Sequence, residues 1–309
     1  MVNFNPSKDI PDLSGKVVFV TGGNAGLGAA TVEAVAAHNP ARLYLGCRRV
    51  EAGEQLAEKV RQKHPNANLR VLKLDLNSLA SVKACAEQFN QESNRLDILF
   101  NNAGISGQPA ALTADGIEIV FGVNHVAHQY FTLLLMPKLL QTKKTNPDVR
   151  IVNVSSVAAR SLAPGKGMLL DQAKTNMENI SQMARYGHSK LANVLFAKKL
   201  SQLYPDILTT SIHPGTVKSD IWDKATELKT IVWLMQPIIW FTGVDIHEGA
   251  KNQLWAAFGD GVKNGTYYEP VGKEHAGTKN MKDQKQADEL WDWTNKELTA
   301  FGAPSWPSA

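Results

Sequence analysis

The chain has 309 residues, 43% apolar and 20% charged, enough to bury a sizeable core as one large α/β domain or two small ones. Its formal net charge of +4 comes from lysines and arginines interleaved with acids, which argues against nucleic acid as a partner. The two cysteines, Cys47 and Cys85, lack C-x-x-C spacing and the N-terminus is polar, so a disulfide scaffold, a cysteine metal site and a secretory signal are not expected.

The first strand pattern, KVVFVT at 16–21, runs straight into Gly22, Gly23, Gly26 and Gly28, and a helical pattern follows over 27–38. A strand entering a helix through such a loop presents backbone N–H groups and the helix dipole to an anion. Gly22 permits the turn, Gly26 lets backbone approach a pyrophosphate and Gly28 allows close helix–strand packing, with Asn24 and Leu27 completing the loop. The first glycine gap is wider than in G-x-G-x-x-G, so a plain tight turn stays open as the alternative. The second strand, 42–46, is followed by Arg48 and Arg49. A dinucleotide site for NAD wants an acid there, whereas a guanidinium pairs with the 2′-phosphate of NADP. A solvated pair at the start of the 50–63 helix is the plainer reading, and it would sit poorly against the helix dipole.

Strand 69–74 leads to a helix over 79–92, and strand 96–101 ends in Asn101-Asn102-Ala103-Gly104. A long helical pattern with an internal turn covers 112–142 and carries Asn124, where an interior asparagine needs a reason. His125 and His128 in the same stretch have no carboxylate or cysteine partner at metal-ligand spacing and are expected to pack, so no metal is expected. Strand 150–155 closes on Ser155 and Ser156. Tyr186-Gly-His-Ser-Lys190 then opens a helix over 186–203, and the i, i+4 spacing sets the phenol and the ammonium on one face. A lysine beside a tyrosine is expected to lower the phenol's pKa and suit it to proton transfer. His188 lies on a different face and is assigned nothing. Strand 208–213 is followed by Pro214, Gly215, Thr216 and Val217.

Strands alternating with helices over 210 residues, several of them continuously apolar, predict an α/β fold: a doubly wound parallel sheet, the Rossmann fold, as a single domain. The cofactor-binding core would span 14–218, a substrate lid and sheet edge 217–280, and an amphipathic terminal helix and tail 281–309. All seven tryptophans lie after residue 221. Trp222, Trp233 and Trp240 read either as ordinary packing aromatics or as a lipophilic wall over the substrate. The longest apolar run, IVWLMQPIIWF at 231–241, is broken by Gln236 and Pro237 and falls short of the ~20 residues of a bilayer span, which leaves room for membrane-surface contact at most.

Thr21-Gly22-x-x-x-Gly26-x-Gly28, Asn101-Asn102-Ala103-Gly104, the serine, Tyr186-x-x-x-Lys190 and Pro214-Gly215 fall in one order over 16–218. In that order the chain resembles the short-chain dehydrogenase/reductase family, and "LGCR", "HPGTV", "EGA" and "NGTYY" look like its NADP-preferring retinol dehydrogenase and carbonyl reductase subgroup. The resemblance implies a catalytic set of Asn124, Ser156, Tyr186 and Lys190. Tyr186 would be the general acid or base, Lys190 would bind the nicotinamide ribose, Ser156 (with Ser155 as fallback) would orient the substrate oxygen, and Asn124 would hold a relay water. It further implies Asp75 and Leu76 at the adenine, Asn102 and Ala103 at the adenine ribose side, Thr216 and Val217 at the carboxamide, and Gly104, Pro214 and Gly215 among the other cofactor-binding residues. Between Ser156 and Tyr186 lie 29 residues, more than many family members carry. This insert is either a surface excursion or one wall of the entrance with Met168, Leu169 and Met183 facing inward.

The expected activity is an NADPH-dependent reduction of a carbonyl on a lipophilic or aromatic small molecule, or the reverse oxidation of a secondary or retinoid-like alcohol, in the cytoplasm. A non-redox cyclase or epimerase and a cofactor-binding regulator are the alternatives. By analogy with the family, helices 112–142 and 186–203 would pair two subunits as a homodimer.

Overall fold

The computed structural model describes residues 2–215, 217 and 244–309. In chain order the elements are α1 (Pro6–Asp9), β1 (Val17–Thr21), α2 (Gly26–Ala36), β2 (Arg42–Cys47), α3 (Val50–Lys63), β3 (Leu69–Lys73), α4 (Leu79–Glu92), β4 (Ile98–Asn101) and α5 (Ile119–Phe121). A π turn, Gly122–Val126, continues α5 into α6 (Ala127–Lys143), followed by β5 (Arg150–Val154), α7 (Ala158–Ser161), α8 (Gln182–Leu203) and β6 (Leu208–Ile212). The last elements are α9 (Ile246–Phe258), β7 (Tyr267–Glu269), β8 (Lys273–Glu274), α10 (Lys279–Lys282) and α11 (Gln284–Ala300).

Alternate residues of a strand point to opposite faces, and here both faces are apolar. Val17 and Phe19 enter one core cluster and Val18 and Val20 the other. The sheet is therefore covered on both sides, by α2, α3 and α9 on one and by α4, α6, α8 and α11 on the other. Its eight strands run β3-β2-β1-β4-β5-β6-β7-β8, parallel as far as β7 and antiparallel from β7 to β8. The order reverses between β1 and β4, the switch point at which ligands bind in such sheets. Register brings the carboxyl ends level there: Thr21 pairs with Gly46, Asn101 with Asn153 and Val154 with Ile212. The expected doubly wound Rossmann sheet is what forms.

Three local departures have physical causes. The helix expected from 112 starts only at Ile119, because Leu112 and Glu118 form an isolated bridge around Gly116, whose φ is +77°. Helix α8 starts earlier than Tyr186, capped by the Ser181 side chain, which accepts from the Ala184 N–H. Strands β7 and β8 are too short to leave an alternation in sequence. The stretch Ile119–Lys143 is long and apolar enough to cross a membrane, but 89% of its apolar window is buried inside the protein, as expected of a core helix.

Helix α11 and the tail pack across α8 and α6. Trp291 stacks on Phe196, Trp293 lies against Phe121, Trp306 against Tyr204, and Phe301 meets Tyr130 edge-on. The chain's own C-terminal helix and tail thus cover part of the two helices expected to pair subunits.

Candidate active site

The site grows out of the strand ends. Helix α2 begins at Gly26 (φ +53°) with Ala25 as N-cap and no side-chain cap, so its first-turn N–H groups are left for another acceptor. A Cβ on Gly28 would lie 2.2 Å from the Gly22 carbonyl oxygen, so only glycine lets the helix start this close to the strand exit. Arg48 and Arg49 follow β2, both exposed, and neither joins an ion pair among the described residues. Asp75 accepts from the Asn77 N–H and so shapes the turn after β3.

One cavity of about 1110 Å³ gathers these groups. It exceeds the roughly 300–1,000 Å³ of a pocket for a single ligand. Gly22, Asn24, Gly26, Leu27, Gly28, Arg48, Arg49, Asp75, Leu76, Asn102, Ala103, Gly104, Ser155, Ser156, Tyr186, Lys190, Pro214, Gly215 and Val217 all line it. Thr216, Trp222, Trp233 and Trp240 lie outside the described residues. The remaining tryptophans pack: Trp255 is buried edge-on to Tyr268, and the other three serve the C-terminal helix and tail.

Tyr186 and Lys190 stand one turn apart on α8, with Lys190 Nζ 5.7 Å from the centre of the Tyr186 ring. Lys190 Nζ donates to the Val154 carbonyl at 2.9 Å, which ties it to the end of β5. The two serines differ. Ser155 Oγ donates to the Lys190 carbonyl at 2.7 Å, while the Ser156 hydroxyl hydrogen-bonds Tyr186. Burial pushes the Tyr186 phenol up to about 12, against the pull of the Ser156 bond, and burial draws Lys190 down to about 8. The phenol's pKa is thus raised rather than lowered: burial sets it, and the opposing pull comes from Ser156 rather than from the lysine.

Asn124 is fully buried behind the cavity rather than lining it. Its Oδ1 accepts from the Ile105 N–H at 2.8 Å, and its Nδ2 donates to the Ile105 carbonyl at 2.9 Å and to Ser189 Oγ at 2.9 Å. Of the insert, Met183 lines the cavity together with Leu162, but Met168 and Leu169 do not. The Met168 N–H donates to Gln286 and the Leu169 N–H to His188 Nε2, so both back onto helices. His188, which sequence left without a role, is what holds that part of the insert. Apolar lining from Ile105, Leu112, Ile119, Val123 and Val157 was also missed, because it comes from loops and helix starts without a motif. Among the described residues no cluster of three metal-ligating side chains occurs.

The short chain dehydrogenase family model matches residues 16–168, and the chain is 33% identical over 305 residues to the short-chain dehydrogenase/reductase drtF of Aspergillus calidoustus, covering 94% of this chain and 95% of that one. The chain belongs to the short-chain dehydrogenase/reductase family. Within this oxidoreductase family it is 35% identical over 285 residues to human retinol dehydrogenase 12, covering 91% and 85% of the two chains. In structure, this short-chain dehydrogenase/reductase is similar to an uncharacterised protein from Mycobacterium paratuberculosis, with TM-score 0.74, 27% identity and 97% and 98% of the two chains covered. The NADPH-bound carbonyl reductase from chicken fatty liver shares its fold, with TM-score 0.63 at 24% identity over 87% and 98% of the chains.

Proposed function

We propose that the chain is an NADPH-dependent reductase of carbonyl groups on lipophilic small molecules. The observation that carries the reading is the convergence in one cavity of Tyr186, Lys190 and Ser156 with the glycine loop and two exposed arginines. The residues fit a nicotinamide dinucleotide: the uncapped start of α2 suits a pyrophosphate, and guanidinium groups with no ion pair among the described residues suit a 2′-phosphate. Gly22, Asn24, Gly26, Leu27 and Gly28 would hold the pyrophosphate, Arg48 and Arg49 the 2′-phosphate, and Asp75 with Leu76 the adenine. Asn102, Ala103 and Gly104 would hold the adenine ribose side, Lys190 the nicotinamide ribose, and Pro214, Gly215, Thr216 and Val217 the carboxamide. When bound, the cofactor supplies or accepts the hydride.

The chain's own share is positioning and proton transfer. Tyr186, held protonated by its burial, donates its proton to the oxygen of the reduced carbonyl. Ser156, already bonded to the phenol, orients that oxygen. Lys190 brings a positive charge beside the phenol as the proton leaves, and Asn124 fixes the backbone at Ile105 next to the site. Ile119 and Leu162 pack against Tyr186, and with Val123, Val157 and Met183 they make this end of the cavity apolar, which supports a lipophilic substrate.

Oxidation of an alcohol, suggested by the similarity to a retinol dehydrogenase, is the second reading. It needs Tyr186 as base, whereas burial raises the phenol's pKa to about 12 and so holds its proton on. The protonated phenol is the form that reduction uses. NADPH and NADH consumption over a panel of carbonyls tests the proposal. A preference for NADH by about tenfold overturns the arginine argument. Conversion without NADPH consumption favours a non-redox enzyme, and NADPH binding without turnover favours a regulator.

A further inference from the structure

His128 sits at the start of α6, screened from solvent, and its two ring nitrogens face two different parts of the site. Nδ1 is 3.1 Å from the main-chain carbonyl oxygen of Asn124, and Nε2 is 2.8 Å from the Thr21 hydroxyl. A carbonyl only accepts, so Nδ1 carries the proton and Nε2 accepts. The Thr21 hydroxyl then donates to the ring, and its oxygen accepts from the backbone N–H groups of Asn102 and Ala103 at 2.9 and 3.0 Å. The Phe100 carbonyl at 3.3 Å is the weaker acceptor for the Thr21 proton. One direction of donation thus runs from the loop after β4, through Thr21 and the ring, to Asn124. Bonds aligned this way polarise one another. Burial first, and Lys190 nearby second, hold the ring neutral, with its pKa down at about 4 despite the bond to Asn124.

We propose that His128 is a positioning residue that couples the Asn124 main chain to the loop at 101–104 through Thr21. The side chain of Asn124 is fully engaged by Ile105 and Ser189, so its carbonyl is the part left to be aimed, and the ring aims it. The π turn Gly122–Val126 takes the backbone there out of the regular α-helical bonding pattern, which makes a side-chain donor valuable at this carbonyl. At its other end the ring organises the loop whose residues line the cavity. The inference rests on the assignment of Asn124 and Lys190 to the site proposed above.

Two substitutions separate the ends of the bridge. In His128→Asn the amide nitrogen stands near Nδ1, keeping the donor to Asn124 and giving up Thr21. In His128→Gln the amide reaches toward Thr21 and gives up the Nδ1 donor. The readouts are kcat for carbonyl reduction and the NADPH dissociation constant from fluorescence titration. One lost hydrogen bond is worth roughly tenfold, so the asparagine variant weakens NADPH binding about tenfold with kcat nearly kept, and the glutamine variant does the reverse. Parallel losses of both parameters in both variants overturn the bridge and leave His128 as packing alone. Should the variants not fold, ¹⁵N-histidine-labelled wild-type protein at pH 7 decides: the neutral Nδ1–H tautomer at His128 supports the bridge, and the Nε2–H tautomer or the imidazolium overturns it. Asn124→Ala and Lys190→Ala are run alongside. Full activity in those variants overturns the reading of the site itself, whereas activity lost there with His128 variants losing in parallel overturns only the bridge.

Discussion

Ser155 and Ser156 are adjacent in sequence and differ in what their hydroxyls touch: one bonds the Lys190 carbonyl, the other the Tyr186 phenol. Ser156→Ala is therefore expected to lower kcat for carbonyl reduction far more than Ser155→Ala, which removes one buried bond worth about 1 kcal/mol of stability. Tyr186→Phe, which deletes the proton donor, lowers kcat by roughly 10²–10⁴ with NADPH binding nearly intact. Equal activity of the Tyr186→Phe protein and the wild type contradicts the acid assignment. Lys190 adds a pH signature. Its pKa in the folded protein is lowered to about 8, so the ammonium is present below pH 8 and lost above it. The profile of kcat/KM for NADPH, which reports the free enzyme, is expected to fall above pH 8. A flat profile to pH 10 shows that the charge of Lys190 is not needed. The residue types and the i, i+4 spacing were legible in sequence. The raised phenol was not, because it follows from burial, and Ser156 was preferred over Ser155 on the family resemblance alone, since which way β5 delivers its last residues leaves no local pattern.

At the scale of elements, strand and helix order from 16 to 213 was legible because each element carries its own periodicity and punctuation. The insert was not legible, since nothing in its pattern says what it covers. It packs as part of the core, with Ala173 and Met177 buried and the Glu118 N–H donating to the Ala173 carbonyl. Helix α8 lies directly on its start: a Cβ on Gly187 would come within 2.4 Å of the Leu162 carbonyl carbon. Gly187→Ala is accordingly expected to lower stability by about 1–3 kcal/mol through forced separation of α8 and the insert, read as a lower Tm. Because Tyr186 is its neighbour, kcat falls as well. An unchanged Tm contradicts this packing.

The whole molecule buries imidazoles on a scale that its sequence conceals. His125 is held at about 3, and His128, His188 and His213 at about 4, in each case chiefly by burial. These values lie below the ~6.5 of an unfolded histidine, so between them the unfolded chain binds protons that the folded chain does not. Stability is full above pH 6.5 and declines as pH falls toward 4, by at most about 1.4 kcal/mol per pH unit for each ring. Urea midpoints at pH 7, 6 and 5 are expected to decrease in that order, and a constant midpoint contradicts the burial of these rings.

The proposed preference for NADPH belongs to the whole molecule, since it depends on a glycine loop, a pair of arginines and a helix that are far apart in sequence. It is tested most directly by the ratio of kcat/KM with NADPH to that with NADH for an aromatic or aliphatic ketone, in the wild type and in Arg48→Ala. The ratio is expected to exceed about ten in the wild type and to collapse toward one in the variant, as a guanidinium paired with a phosphate requires. A wild-type ratio below one, or an unchanged ratio in the variant, contradicts it.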